Sequence, residues 1–278
     1  MRHEMTNVNR TLSLAVLSGK GGVGKTNLAL NVGYALHGAG HSLLLMDCDL
    51  GLANLDVLLG ISPERNLQDL LRDGVRPRDV VVALEQNGLD VLPAASGVPE
   101  LVEMDEDMQG LLFQKVADLV GRYQFLLLDL GAGINRTVLS FAQTARHRLV
   151  VVTPEPTSLT DSYAVIKVLA TQHGVRDFWV VVNQAADARE ARETFKRLSM
   201  ACKNFLDLDL TDLGFVRQDP TLTEAVRNQT PLLKFAPKSD AARDIISLAV
   251  KVERFRSDNL DALAEGDILG RLPRPKVD

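Results

Sequence analysis

TLSLAVLSGKGGVGKTNLALNVGYALHGAG, residues 11–40, sets the frame for the rest of the chain. An apolar run with β-forming residues (11–17) enters a glycine turn, and a periodic helical segment (27–40) leaves it and ends on glycines suited to a helix C-terminus. Between them GKGGVGKT, residues 19–26, fits G-x-x-x-x-G-K-[ST] in the strand-to-helix setting that turns a pattern into a phosphate site. Glycines let successive backbone N–H groups converge on phosphate oxygens, and the next helix aims its positive end at the same anion. Gly19, Gly21, Gly22, Val23 and Gly24 would form the cradle and Asn27 would come next, in the first helical turn. Lys25 would neutralise the β- and γ-phosphates of ATP or ADP, and the Thr26 hydroxyl would ligate Mg²⁺. One lysine suffices for that task, so Lys20, five residues earlier, needs a separate explanation.

Outward from this stretch, short apolar runs recur at 42–47, 89–93, 125–130, 147–153, 178–183 and 213–216. Most lack alternation, as strands buried on both faces of a parallel sheet do. With helical segments between them they predict an α/β fold, a doubly wound and mostly parallel sheet with helices on both faces. The last clear helix is 239–255, with Ile245, Leu248, Ala249, Val252 and Phe255 on one face. The expected organisation is a polar N-terminal tail over 1–10, one domain over 11–256, and a C-terminal tail or short amphipathic segment over 257–278.

Two strand ends carry acids. Asp47 and Asp49 lie at the tip of the second strand in MDCDLGLANLD (46–56), and Asp129 lies at the tip of FLLLDLGAG (125–133). Ligands of open α/β sheets gather at such carboxyl ends. Asp129 fits the acid that holds Mg²⁺ through water. Gly131 or Gly133 could offer a backbone N–H to the γ-phosphate and so sense ATP against ADP.

The bulk numbers exclude several classes. The chain has 278 residues, 46% apolar and 24% charged, with net charge −5, which argues against a strongly basic nucleic-acid binder. Basic residues cluster at 189–203, which reads as a solvated helix face. Cys48 and Cys202 form no C-x-x-C pair, so neither a disulfide framework nor a dedicated zinc site is expected. The polar first ten residues and the lack of an apolar run of about 20 predict a cytoplasmic protein that meets a membrane only from its surface. A metabolic kinase would need an acceptor pocket and a lid, for which there is no signal, so water is the expected acceptor.

KGGVGKT (20–26) is the deviant form of the phosphate loop, and from it onward the chain resembles the MinD/ParA family of ATPases. The resemblance implies a P-loop NTPase fold of the MinD/SIMIBI type and a homodimer that closes on two ATP molecules. It implies that Lys20 reaches the phosphates of the partner copy's ATP, as an arginine finger does elsewhere. It places Asp47 near the Mg²⁺ shell and gives Asp49 the orientation of the attacking water. Asn183, at the strand end in WVVVNQ (179–184), would bond the adenine edge. LGFVRQDPTLTEAV (213–226) resembles the family's loop over the base, which puts Arg217, Gln218 and Asp219 near it.

Within the family, Asn27, DLGLANLDVLLG (49–60), LPAASG (92–97), the GAGI of 131–134 and PEPTSLTDSYAVIK (154–167) are similar to the flagellar-number regulators called FlhG, FleN or YlxH. That branch implies slow ATP hydrolysis and partners in flagellar assembly: an FlhF-like GTPase, a basal-body component or a flagellar transcription activator. The alternatives are a ParA-type partition ATPase on DNA or other cargo, and a septum-site MinD. The chain departs from the branch in two places. MRHEMTNVNR lacks the DQAxxLR pattern of members that stimulate the GTPase, and residues 251–278 carry six basic and six acidic residues, which weakens attraction to a membrane surface.

Overall fold

The computed structural model describes residues 10–49, 54–86, 88–94 and 106–265. Eight strands form one sheet: β1 (Leu12–Ser18), β2 (Leu43–Cys48), β3 (Val82–Glu85), β4 (Leu89–Leu92), β5 (Phe125–Ala132), β6 (His147–Val152), β7 (Phe178–Ala185) and β8 (Thr211–Arg217). Their order is β3-β4-β2-β5-β1-β6-β7-β8, and every neighbouring pair is parallel except β3 with β4. The seven expected strands are all present. The short antiparallel edge strand β3, only half-buried, has no long apolar run to announce it.

The helices are α1 (Lys25–Gly38), α2 (Leu55–Leu59), α3 (Glu106–Val120), α4 (Arg136–Thr144), α5 (Pro156–His173), α6 (Ala188–Leu206), α7 (Pro220–Arg227), α8 (Leu232–Phe235), α9 (Asp240–Asp258) and α10 (Leu260–Glu265). The absence of alternation in the strands has its reason in two separate apolar layers. From β5, Leu126, Leu128 and Leu130 enter a layer with Phe113 of α3, Phe141 of α4, Leu169 of α5 and Leu198 of α6. Phe125 and Leu127 enter the other, with Leu28 and Val32 of α1 and Ile245, Leu248 and Val252 of α9. Each such side chain gains roughly 1.5–3 kcal/mol from leaving water, so both faces of the sheet must be covered.

The boundary expected at 256 falls inside α9, which continues to Asp258 and is succeeded by α10. Leu263 of α10 is buried in the α1/α9 layer, so the fold runs on to Glu265. The tail segments 1–9 and 266–278, residues 50–53 of the acidic run and residues 95–97 of LPAASG lie outside the described residues. Among the described residues no helix is long and apolar enough to cross a membrane.

Because the strands are parallel, their carboxyl ends share one edge of the sheet. β1 sits between β5 and β6, and the chain leaves it through α1 toward β2 on one side and only later reaches β6 on the other. Such a reversal opens a crevice at the carboxyl ends. The loop 19–24 occupies it.

Candidate functional site

The site is built on the neighbouring tips of β1, β5 and β2. Asp129 pairs in register with Val16 on one side and with Asp47 on the other. Three adjacent strands therefore deliver the phosphate loop and two carboxylates to one place.

Gly24 is the N-cap of α1 at φ 89°, a conformation that favours glycine, and a Cβ there would stand 2.5 Å from the Asn183 Nδ2. No side chain caps the first turn of α1 and no acidic residue sits in it. Its leading N–H groups, with no intrahelical partners, thus face the glycine turn at the positive end of a 14-residue helix. Gly19 is small for another reason: a Cβ would lie 2.0 Å from the carbonyl carbon of Asp161 in α5. Gly19→Ala is therefore expected to cost about 3 kcal/mol, since one methyl must force loop and helix apart. At this chain length that lowers Tm by roughly 6 °C or more. A thermal melt reads it, and an unshifted Tm would mean the loop yields freely.

Lys25 is buried, and burial pushes its ammonium below the usual lysine range, an effect the Asp129 and Asp49 carboxylates oppose. The Thr26 hydroxyl hydrogen-bonds Asp129, whereas the Asp129 Oδ1 is buried with no hydrogen-bond partner among the described residues. Asp47 is also buried and accepts two backbone N–H groups, from Asp49 at 3.0 Å and from Leu55 at 3.5 Å. Asp49 is half-buried, its carboxylate 3.3 Å from where a Cβ on Gly131 would lie.

Burial first, and then the Asp129 charge, push Asp47 up to about 8; burial also raises Asp129 to about 7. Such acids keep their protons in the fold after the unfolded chain has lost them. Between the ordinary carboxylate pKa near 3.8 and these raised values, the native state binds more protons, so stability falls as pH rises. The Tm of nucleotide-free protein should fall between about pH 4 and about pH 8, and Mg²⁺ with ADP should flatten that fall by favouring the ionised carboxylates. Melts across that range, with and without Mg-ADP, check both; a free-protein Tm that rises with pH would contradict the assignment.

The donor set fits a hard divalent cation held beside phosphates. No group of three or more His, Cys, Asp or Glu able to hold a metal alone occurs among the described residues. Mg²⁺ commonly takes only one or two protein carboxylates, with phosphate and water completing its octahedron. The orphaned Asp129 oxygen, the Thr26 hydroxyl and Asp47 match that need.

Lys20 lies elsewhere. Its Nζ forms an ion pair with Glu155, the N-cap of α5, and lies 3.3 Å from the Thr157 hydroxyl. Both partners are exposed. Sequence reasoning gave Glu155 no role; the charged residue of PEPTSLT just before an N1 proline was the available signal.

Four expected contacts look different in three dimensions. Asn183, at the tip of β7, donates from Nδ2 to the Val23 carbonyl at 2.7 Å, so its amide braces the phosphate loop. The Gly133 N–H donates to the Ser18 carbonyl at 3.0 Å, while Gly131 is buried against Asp49. Arg217 is engaged by two aspartates. Two of its nitrogens bond both Asp244 oxygens at 2.8 Å, and a third pairs with Asp240 at 3.0 Å, which fastens β8 to α9. Asp219 caps two helices, accepting from the Thr221 N–H at 2.9 Å and the Ala241 N–H at 3.1 Å. Burial acts to raise its pKa, but hydrogen bonds from Thr221, Ala241 and Ser239 outweigh it and hold the carboxyl low. A short acid at a cap and an arginine opposite two aspartates have the same local sequence as a ligand loop. Asn27 stands half-buried in the first turn of α1, its carbonyl accepting from Asn31 at 2.8 Å. Gln218 hydrogen-bonds through its N–H to the Ala185 carbonyl at 2.9 Å, tying β8 to β7.

Comparison with known proteins agrees with this arrangement. The family described as cellulose biosynthesis protein BcsQ matches residues 12–252. Antiactivator FleN of Pseudomonas aeruginosa is 38% identical over 252 residues, covering 91% of this chain and 90% of its own. The chain belongs to the MinD/ParA family of ATPases. Within that family it falls with the flagellar-number regulators: flagellum site-determining protein YlxH of Helicobacter pylori is 30% identical over 263 residues, covering 94% and 88%. Among solved structures, septum site-determining protein MinD of Pyrococcus horikoshii, complexed with Mg-ADP, superposes with a TM-score of 0.73 at 26% identity, covering 88% of this chain and 97% of that one. The eight-stranded sheet is thus the P-loop fold of MinD-type ATPases.

Proposed function

We propose that this chain hydrolyses ATP to ADP and phosphate as the timer of a monomer–dimer switch that regulates flagellar number or placement. One observation carries the reading. Lys25 is buried among the site carboxylates, while a second lysine of the same loop sits on the outer rim, paired with Glu155 and near Thr157. A cation parked on an exposed ion pair of small worth is free to be recruited by a phosphate of another copy.

In this reading the backbone of residues 19–24 and the N-terminus of α1 bind the phosphates, and Lys25 neutralises them. Thr26, Asp47 and Asp129 would hold Mg²⁺, which supplies charge neutralisation at the phosphoryl oxygens. Asp49 accepts a hydrogen bond from the attacking water and fixes its direction. Phosphoryl transfer asks the protein for positioning and electrostatic stabilisation, so a held carboxylate is sufficient. Lys20 leaves Glu155 when two copies face each other and stabilises the charge on the partner's phosphates. The breaking of the Gly133–Ser18 contact would release an N–H for the γ-phosphate. Asn183 keeps the loop in shape beside the base.

The dimer is the form that engages a flagellar partner, whether GTPase, basal-body component or transcription activator. FleN is named an antiactivator, and that supports the last of these. Peripheral contact with the inner face of the membrane belongs to the same scheme. The switch is tested by light scattering after size exclusion, with Asp49→Ala to keep ATP intact. The expected mass is 30.4 kDa with ADP and twice that with ATP. The lower mass in both nucleotides would remove the switch.

A further inference from the structure

Helix α2, the first described element after Asp49 apart from the single residue Asn54, has only five residues, too few to persist on its own. It is held from both ends. At the start, the Leu55 N–H donates to the Asp47 carboxylate. At the end, the Val57 carbonyl accepts 2.8 Å from the Nε2 of Gln229, a residue 172 positions away. The same carbonyl also accepts the Gly60 N–H at 3.3 Å, so the Gln229 amide supplies the second and shorter bond that closes the helix.

Gln229 is itself held in an unusual way. It comes directly after the C-cap of α7 at φ 47°, the left-handed conformation that glycine or asparagine adopts at that place and glutamine seldom does. Its N–H closes the helix onto the Val226 carbonyl, and the Thr230 N–H closes onto Ala225. A backbone held against its preference at a position where glycine would serve implies that the side chain is wanted. Gly60, at φ 62°, leaves room for it: a Cβ there would stand 3.2 Å from the Gln229 Oε1.

The corner that carries Gln229 is anchored to the phosphate-loop helix. The Leu233 N–H of α8 donates to the Asn31 Oδ1 of α1 at 3.2 Å, and Asn31 is fully buried. Lys234 of α8 stands over the Tyr34 ring of α1 at 5.2 Å and pairs with Glu85 of β3. One rigid corner thus joins α1, which begins at Lys25, to α2, which begins at the Asp47 carboxylate.

We infer that Gln229 is a positioning residue: by capping α2 from the α7–α8 corner it holds the Leu55 N–H on the Asp47 carboxylate, and through Asp47, which also accepts the Asp49 N–H, it sets the placement of both acids relative to the phosphate loop. This inference rests on the ATPase reading above for its kinetic part. The clamp itself concerns the nucleotide-free chain.

The test uses three variants of the full chain. Gln229→Gly removes the side chain and relieves the backbone, so it should fold at least as stably as the parent. Gln229→Glu keeps the shape but replaces the donor with an acceptor, and Gln229→Lys keeps a donor. In nucleotide-free protein, hydrogen exchange at Leu58 and Ile61, the amides bonded to Asn54 and Asp56, should speed up at least about tenfold in the Gly and Glu variants and stay near the parent in the Lys variant. Steady-state ATP turnover should fall about tenfold in the Gly and Glu variants with ADP affinity unchanged, and recover with Lys. Unchanged exchange in Gln229→Gly overturns the clamp. Faster exchange with unchanged turnover, or turnover and ADP affinity falling together, overturns the positioning role. A parent that turns over no ATP ends the ATPase reading instead, and the exchange arm still decides the clamp.

Discussion

Lys20→Ala is expected to lower ATP turnover by about 10³-fold while ADP affinity stays within roughly threefold of the parent, because the proposed role of Lys20 is to act on the phosphates bound by another copy. The structure makes the split between turnover and affinity sharp. The Lys20 side chain faces Glu155 and Thr157 on the rim, so its removal takes nothing from the pocket in which Lys25 lies. The ion pair it breaks joins a half-buried lysine to an exposed glutamate at the surface and contributes little to stability. Lys25→Ala should behave differently, because that ammonium lies inside and its loss weakens nucleotide binding itself. Turnover measured at saturating ATP, beside ADP titration, separates the two. A Lys20→Ala protein that binds ADP poorly would place Lys20 in its own pocket and sink the assignment in trans.

Asp49→Ala is the second large effect: turnover falls at least about 10²-fold, the scale on which misplacing a reacting group is felt. The carboxylate is half-buried against Gly131, close enough to Lys25 to act on its charge. It can therefore face a water near the phosphates. Asp47 cannot exchange roles with it. Asp47 is buried to 1% exposure and its two oxygens are engaged by the N–H groups of Asp49 and Leu55. Asp49→Asn should recover only part of it, since the amide oxygen still accepts a hydrogen bond from the water but without the charge that strengthens it. Single-turnover hydrolysis with nucleotide binding measured in parallel reads the effect, and an Asp49→Ala chain that hydrolyses ATP at the parental rate would remove the residue from the chemistry.

Much of this site was legible in the sequence because its parts sit at strand tips. A buried parallel strand shows as a continuous apolar run, and the residues just past the end of such a run must emerge at the carboxyl edge of the sheet. Asp47, Asp49 and Asp129 were locatable by that rule, and Lys25 and Thr26 by the glycine-rich motif that follows the first strand. Neither says which strands are neighbours. That β5 lies between β1 and β2, and so sets Asp129 beside Asp47, comes from the crossovers.

Contacts between distant segments left weaker traces. Glu155 against Lys20, Asp161 against Gly19, and Gln229 against Val57 join positions more than 100 residues apart, and no local period encodes them. Arg217 and Asp219 also have partners beyond their own loop. An arginine and an acid in a loop read alike whether they face a ligand or a neighbouring helix, and here the partners on α9 take them. The edge strand β3 was missed because a four-residue, half-buried strand has neither the length nor the apolar content that periodicity detects.

The measurement that bears most directly on two copies sharing one pair of nucleotides mixes two inactive proteins. Equal amounts of Lys20→Ala and Asp49→Ala are combined before ATP is added. In a mixed pair, the protomer that keeps Asp49 receives Lys20 from its neighbour, so one site of two is complete. Random pairing puts half the molecules in that form, so turnover should return to about a quarter of the parental value. A mixture as inactive as its two components would contradict the exchange of lysines between copies.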